Sequence, residues 1–236
     1  MIQAMGPAGT FGVPGPRDGA TMEATGEPPT AARRGSVEPR VRLMRPGDAD
    51  EVARLHVEGI PTGLLAELGA KFLARVYRAL AECEEGFVFV ATCAGDRVVG
   101  FVAGVTSVRA MYKRVLQKHG LSFGLAALKY VFSARMIRRI LNTLRYPAKV
   151  ESQYPDAELL SIVVAPEARG SGAATALLEA LLAEFHARSV GEIKVMVGPD
   201  LERANAYYRK HGFRLAGQIT SHGHPANIYT LATKSA

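Results

Sequence analysis

The chain has 236 residues, 48% hydrophobic and 22% charged, which suits one domain of ordinary size with a full core and argues against two. It nets +7 at neutral pH, has no apolar run long enough for a membrane helix, and lacks the charged, apolar and small-residue order of a secretory signal, so a cytoplasmic protein is expected. Cys83 and Cys93 sit at a spacing typical of neither zinc sites nor redox pairs; they read as buried free thiols, and no metal site is expected.

Residues 1–40 hold six prolines and seven glycines with almost no apolar periodicity. Such a segment buries too little to offset the entropy of ordering, and is expected to be a disordered Gly/Pro/Ala-rich extension. A start codon assigned too far upstream, with Met22 or Met44 as other starts, would look the same. Structure is expected from 41 to 236, opening with a short strand, Val41 to Arg45, stopped by Pro46. A helix through Val52, Leu55 and Val57 follows, with Asp48 or Asp50 as its cap, and a second runs from about Gly69 to Glu82. Two strands, Phe87 to Thr92 and Val98 to Val105, flank a hairpin turn at Ala94-Gly95-Asp96-Arg97.

The stretch from about 107 to 150 is chemically biased: between Arg97 and Val150 there are eleven Lys or Arg and no Asp or Glu. Leu121, Leu125, Leu128, Phe132, Met136, Ile140 and Leu144 recur at three- and four-residue steps, predicting a basic amphipathic helical insertion. It reads either as a solvated basic face, or as a lid that draws in an anionic acceptor or phosphates, or as a surface for RNA or an anionic membrane. The aromatics within it fall mostly on apolar positions, which disfavours base stacking.

From Glu158 to Phe185 a strand joins an apolar-striped helix through Arg169-Gly170-Ser171-Gly172. The two glycines let the backbone approach an anion, the next helix presents unpaired N–H groups with Ser171, Ala173 and Ala174 around its start, and Arg169 adds a charged donor. This is a phosphate-binding turn. It lacks the Gly-Lys-Ser/Thr ending of a nucleotide-triphosphate loop and the third glycine of a dinucleotide fingerprint, so ATP and NAD are poor ligands for it. Strands near Ile193 to Val197, Phe213 to Thr220 and Asn227 to Leu231 follow. Between the first two lies Ala204 to Lys210, a helix on which Leu201, Ala204 and Tyr208 share a face, with Gly212 as its left-handed exit.

Arg169, Gly172 and Ala174 match the Arg/Gln-x-x-Gly-x-Gly/Ala loop of the GNAT acyl-CoA N-acyltransferases, and Tyr208 stands four residues before Gly212 as in that family's second motif. The chain resembles this superfamily from 41 to 232 apart from the insertion, which lies between the third and fourth strands. The resemblance implies an α/β (α+β) domain with a mixed six- to seven-stranded sheet flanked by helices. It also implies acetyl-CoA as co-substrate: its pyrophosphate on the loop, its pantetheine arm along Ile162, Val163 and Val164, and Tyr208 as the acid for the departing thiolate. Many members carry Asn where this chain has Leu201, and Asn205 is expected to take over part of that cofactor contact. Glu158 matches a glutamate that some members use as general base; its other reading is a strand-end carboxylate in a salt bridge with the basic insertion.

His222 and His224, between the last two strands, are candidate acceptor-binding or proton-relaying residues, or simply solvated loop histidines. The leading expectation is an N-acetyltransferase acting on a small amine, an anionic one included. Alternatives are a module directed at aminoacyl-tRNA, RNA or a membrane through 107–150, and an acyl-CoA-binding regulator without catalysis. A homodimer is compatible with the resemblance.

Overall fold

The computed structural model describes residues 39–61, 64–127, 153–221 and 224–233. Seven strands form one sheet in the order β1-β2-β3-β4-β5-β7-β6. In chain order the elements are β1 (Arg40–Leu43), α1 (Ala49–Gly59), α2 (Leu64–Leu68), α3 (Ala70–Ala81), β2 (Gly86–Thr92), β3 (Val98–Val105), α4 (Val108–Ala127), β4 (Glu158–Val164), α5 (Ala173–Ala187), β5 (Glu192–Val197), α6 (Glu202–Lys210), β6 (Arg214–Ser221) and β7 (His224–Ala232). This is the mixed sheet the sequence predicts, at the upper strand count. Among the described residues only β4 and β5 pair in parallel; every other neighbouring pair is antiparallel.

Two cores form, one on each face of the sheet. Side chains alternate across a strand, so β3, buried at every position, feeds both. Val52, Leu55, Leu73, Tyr77 and Leu80 of α1 and α3 pack with Phe101, Ala103 and Val163 on one face. Leu177, Leu178, Leu181 and Phe185 of α5, with Tyr208 of α6, pack with Val102, Ile162, Val195 and Tyr229 on the other. Full burial of side chains this size contributes about 1.5–3 kcal/mol each. The helix stripes of the sequence thus select which strand faces they cover. Gly104 is part of the fit, since a Cβ there would come within 2.9 Å of Leu181 and Phe87.

Asp48 occupies the N-cap position of α1, but its side chain does not cap the helix. The carboxylate instead accepts from the Arg45 N–H at 2.6 Å and from both terminal nitrogens of Arg42. The Arg42 guanidinium holds that carboxyl below its ordinary range.

Within the stretch 107–150, α4 spans Val108–Ala127, and the Ser107 hydroxyl before it receives the Ala110 N–H at 3.0 Å. The remainder, 128–150, lies outside the described residues, as do residues 1–38. The basic side chains at the start of α4 face acidic partners. Arg114 meets Glu85 at 2.7 Å and Glu84 at 3.1 Å, and Lys118 meets Glu82 at 3.3 Å. These pairs dock α4 onto the end of α3, and that is where this part of the basic excess goes.

Candidate active site

β4 is the strand on which the site is built. Its pairing with β3 runs from Val105↔Glu158 to Gly100↔Val164, whereas its pairing with β5 stops after Glu158↔Lys194 and Leu159↔Val195. β5 meanwhile stays in register with β7 as far as Val197↔Asn227. The two parallel strands therefore separate beyond Leu159. From Leu160 to Val164 the edge of β4 facing β5 carries no ladder, so its backbone can receive an extended ligand arm as an added strand. A bulge assists: Ala103 opposes Ser161 and Gly104 opposes Leu159, which leaves Leu160 unmatched and bends the strand where the wedge opens. Ile162, Val163 and Val164 all lie on this stretch.

At the C-terminal end of β4 a 3₁₀ turn, Pro166–Ala168, delivers the chain to Arg169–Gly172. Gly170 and Gly172 have φ of +81° and +87°, which only glycine adopts at low cost. A Cβ at either would meet nothing within 4 Å, so the backbone conformation demands glycine and the loop's outer side is bare. Gly172 is the N-cap of α5, and no side chain caps that helix. The Ser171 hydroxyl is spent on the Ala168 carbonyl at 2.7 Å and receives the Ala173 N–H only at 3.4 Å. The first-turn N–H groups and the positive end of the helix dipole form a seat for an anion, with the Arg169 side chain exposed beside them.

α6 crosses the start of α5. The Tyr207 hydroxyl donates to the Ala174 carbonyl at 2.9 Å, tying the two helices together next to the anion seat. One residue on, Tyr208 is fully buried, its ring edge-on to Phe213 at 5.1 Å. Its hydroxyl has no hydrogen-bond partner among the described residues. Burial pushes that phenol well above its ordinary pKa, so it holds its proton at neutral pH.

Asn205, expected to touch the cofactor, has another task. Its amide nitrogen donates to the Gly198 and Leu201 carbonyls at 2.9 and 2.8 Å, and its oxygen accepts from Asn227 and from the Tyr229 hydroxyl at 2.8 and 2.9 Å. All four hydrogen-bonding positions of the amide are filled by the protein. Asn205 therefore fastens α6 to β7 and has no capacity left for a ligand. Its partners Asn227 and Tyr229 went unnoticed in the sequence, where a polar residue in an apolar strand was the only signal.

Glu158 stands at the other end of β4 from the loop, about 20 Å away at roughly 3.3 Å per residue. It is buried, and so is Lys194, its in-register neighbour on β5, whose Nζ lies 3.6 Å from Glu158 Oε2. Among the described residues the glutamate's charge partner is thus a sheet lysine. Lys194 also donates to the Pro155 carbonyl, and Glu158 Oε2 accepts no hydrogen bond among the described residues. Burial pushes the Glu158 carboxyl above its ordinary range, while Lys194 opposes the rise. A lysine between Ile193 and Val195 was the sequence signal for this pair. Tyr112 of α4 feels the same carboxylate, which adds to the effect of burial in raising its phenol.

Under β4, on the α1 and α3 side, the Tyr77 hydroxyl sits 2.6 Å from His56 Nδ1. Burial lowers the His56 pKa to about 4, so the imidazole is neutral and one hydrogen is shared between Nδ1 and the phenolic oxygen. His224 begins β7 opposite Ser221, while His222 lies outside the described residues. Among the described residues no cluster of metal-ligating side chains occurs, and no helix is long and apolar enough to cross a membrane.

No curated protein matches this chain in sequence. Solved structures share its fold. The crystal structure of SsHAT aligns with 84% of this chain and 100% of its own, at 22% identity and a TM-score of 0.64. An N-acetyltransferase from Staphylococcus aureus Mu50 aligns over 83% and 99%, at 16% identity and 0.56. A spermidine N-acetyltransferase, SpeG, from Vibrio cholerae aligns over 83% and 94%, at 14% and 0.51. The sequence profile of the acetyltransferase (GNAT) family matches residues 61–213, a span that takes in the wedge, the loop and Tyr208. The chain belongs to the GNAT family of acetyltransferases.

Proposed function

We propose that this protein is an acetyl-CoA-dependent N-acetyltransferase whose acceptor is the amine of a small molecule. The observation that carries the reading is the Tyr208 hydroxyl, buried without a hydrogen-bond partner among the described residues, in the core that also holds Ile162 and Val164 of β4. An orphaned buried hydroxyl costs stability, and it is explained where a ligand atom completes it. The bare glycine loop over an uncapped helix start suits a pyrophosphate, and the unladdered edge of β4 suits an extended amide-bearing arm. The residues present therefore fit this co-substrate: Arg169 to Ala174 would hold its phosphates and Ile162 to Val164 its arm.

When bound, acetyl-CoA supplies an acetyl group activated as a thioester. The backbone N–H groups of the Ile162 to Val164 stretch are fixed by the sheet and can polarise a carbonyl without reorganising. Tyr208, protonated in an apolar setting, can deliver its proton to a developing anion. Glu158, whose Oε2 accepts no hydrogen bond among the described residues, can take a proton from the acceptor's ammonium group at the far end of β4, which frees the amine lone pair for attack. A carboxylate at that end favours a cationic amine as the acceptor. SpeG is a spermidine N-acetyltransferase, and a small polyamine is one member of the class to screen.

Titration calorimetry of acetyl-CoA against the full chain and a Gly172→Glu variant tests the reading, together with an acetylation screen of small primary amines. Saturable binding lost in the variant, with turnover of an amine, is expected. Absence of acetyl-CoA binding to the unaltered protein would overturn it.

A further inference from the structure

Lys194 has no place in the scheme above, although it is a lysine buried almost completely in the middle of an apolar strand. Three contacts define it. It is the register partner of Glu158 across the parallel pairing of β4 with β5. Its Nζ is 3.6 Å from Glu158 Oε2, with side-chain exposures of 4% and 3% for the two residues. It also donates to the carbonyl of Pro155, three residues before Glu158 on the segment that returns to β4. The ammonium is therefore aimed by a backbone carbonyl, and the carboxylate keeps an oxygen, Oε2, that receives no hydrogen bond among the described residues.

We infer that Lys194 is a positioning residue for the acetyl transfer: anchored on Pro155, it keeps the Glu158 carboxylate ionised and aimed at the acceptor amine. The inference rests on the reading of Glu158 as the proton acceptor. The step it serves moves one proton from the acceptor's ammonium nitrogen to Glu158 Oε2, freeing the nitrogen lone pair; no electrons are exchanged. Without a cation beside it, a carboxyl this deeply buried would favour the protonated, useless form. The groups that face Glu158 are few. Lys194 comes from β5, Tyr112 from α4, and Asp156 from the chain just before β4. Asp156 opposes ionisation, and its carboxylate is occupied by the Ser107 hydroxyl at the start of α4. Among the described residues, Lys194 is thus the cation that offsets burial at this position. Its distance is too long for a full hydrogen bond, which leaves Oε2 able to accept from a substrate.

The test compares the full-length protein with Lys194→Met, which keeps an unbranched chain in the apolar strand, and Lys194→Arg, which restores charge. Difference infrared titration of the protonated-carboxyl stretch, with Glu158→Gln as the blank, reads the group without requiring turnover. In Lys194→Met the Glu158 signal should persist to higher pH than in the unaltered protein, and Lys194→Arg should return it toward the original position. In acetylation assays, kcat/KM for the amine should fall on the order of tenfold at neutral pH in Lys194→Met and recover as pH rises, with acetyl-CoA affinity unchanged. Coincident titrations in the unaltered and Lys194→Met proteins would overturn the inference. So would an activity loss of equal size at every pH, which marks a merely structural lysine. If the infrared difference appears in a protein that binds no acetyl-CoA, the acetyltransferase reading fails while the charge coupling of the pair stands.

Discussion

Asn205 and Tyr208 lie three residues apart on the buried face of α6, and their hydrogen-bonding states are opposite: the amide of Asn205 has four partners, the hydroxyl of Tyr208 none among the described residues. The first residue holds the helix to the sheet, and the second is left free by that rigidity to meet a ligand. Tyr208→Phe should therefore change stability by at most about 1 kcal/mol, in the stabilising direction if anything, because it removes an unsatisfied buried group. Turnover should drop roughly 10²-fold or more with acetyl-CoA affinity retained. Urea unfolding and steady-state kinetics on one variant read both effects.

Asn205→Ala should do the reverse. It strands the Asn227 amide, the Tyr229 hydroxyl and two carbonyls in a buried setting, and the expected loss is about 2–4 kcal/mol in urea unfolding. Activity measured well below the unfolding midpoint should fall less than in Tyr208→Phe.

Gly172→Ala isolates the anion seat. A methyl there meets no atom within 4 Å, so the stability cost is that of the left-handed backbone, about 1–2 kcal/mol. The methyl nevertheless projects from a loop whose bare backbone is proposed to hold phosphates. Calorimetry should show acetyl-CoA binding weakened about tenfold or more, whereas Gly47→Ala, where φ is not left-handed and the space is also open, should bind normally.

The acidic run after α3 gives a contrast between neighbours. Glu85 has a side-chain exposure of 14%, accepts from Arg114 through two nitrogens and also receives the Cys83 thiol at 2.9 Å; the Glu84 carboxylate, 79% exposed, pairs with Arg114 at 3.1 Å. Glu85→Gln should cost about 0.5–1 kcal/mol in urea unfolding at low salt and Glu84→Gln almost nothing, since an exposed pair is screened by solvent. Equal losses would show that α4 is docked by something other than Glu85.

Much of this arrangement was legible in the residues because local rules acted alone. The hairpin at Ala94 to Arg97, the limits of α3, the glycine loop and the left-handed Gly212 each follow from a few adjacent residues. What was not legible depends on which strands become neighbours. Lys194 becomes the partner of Glu158 only when β5 lies parallel to β4, thirty-six positions away in the chain. Asn205 loses its ligand role only when β7 brings Asn227 and Tyr229 beneath it. The cap expected at Asp48 fails for the same reason: β1 places Arg42 against its carboxylate.

His56 supplies a pH test of the other core. Its imidazole is neutral in the fold, with a pKa lowered to about 4 by burial, against an ordinary value of 6.5. Above pH 6.5 both folded and unfolded chains hold it neutral and it adds no pH dependence. As pH falls from 6.5 towards 4, the unfolded chain takes up a proton that the native state refuses, so stability declines through that window. The full effect is about 3 kcal/mol and is complete below pH 4. Glu158, whose carboxyl is raised by burial, protonates more readily in the fold and works in the opposite sense, so the raw curve of the protein mixes the two. Comparison with His56→Asn separates them, because that amide can still hydrogen-bond the Tyr77 hydroxyl and cannot titrate. Urea unfolding at pH 7.5, 6, 5 and 4.5, chosen to bracket the histidine window, should give two curves that converge or cross as pH falls, the variant losing less. Parallel curves would mean that His56 is reached by water and protonates in the native state.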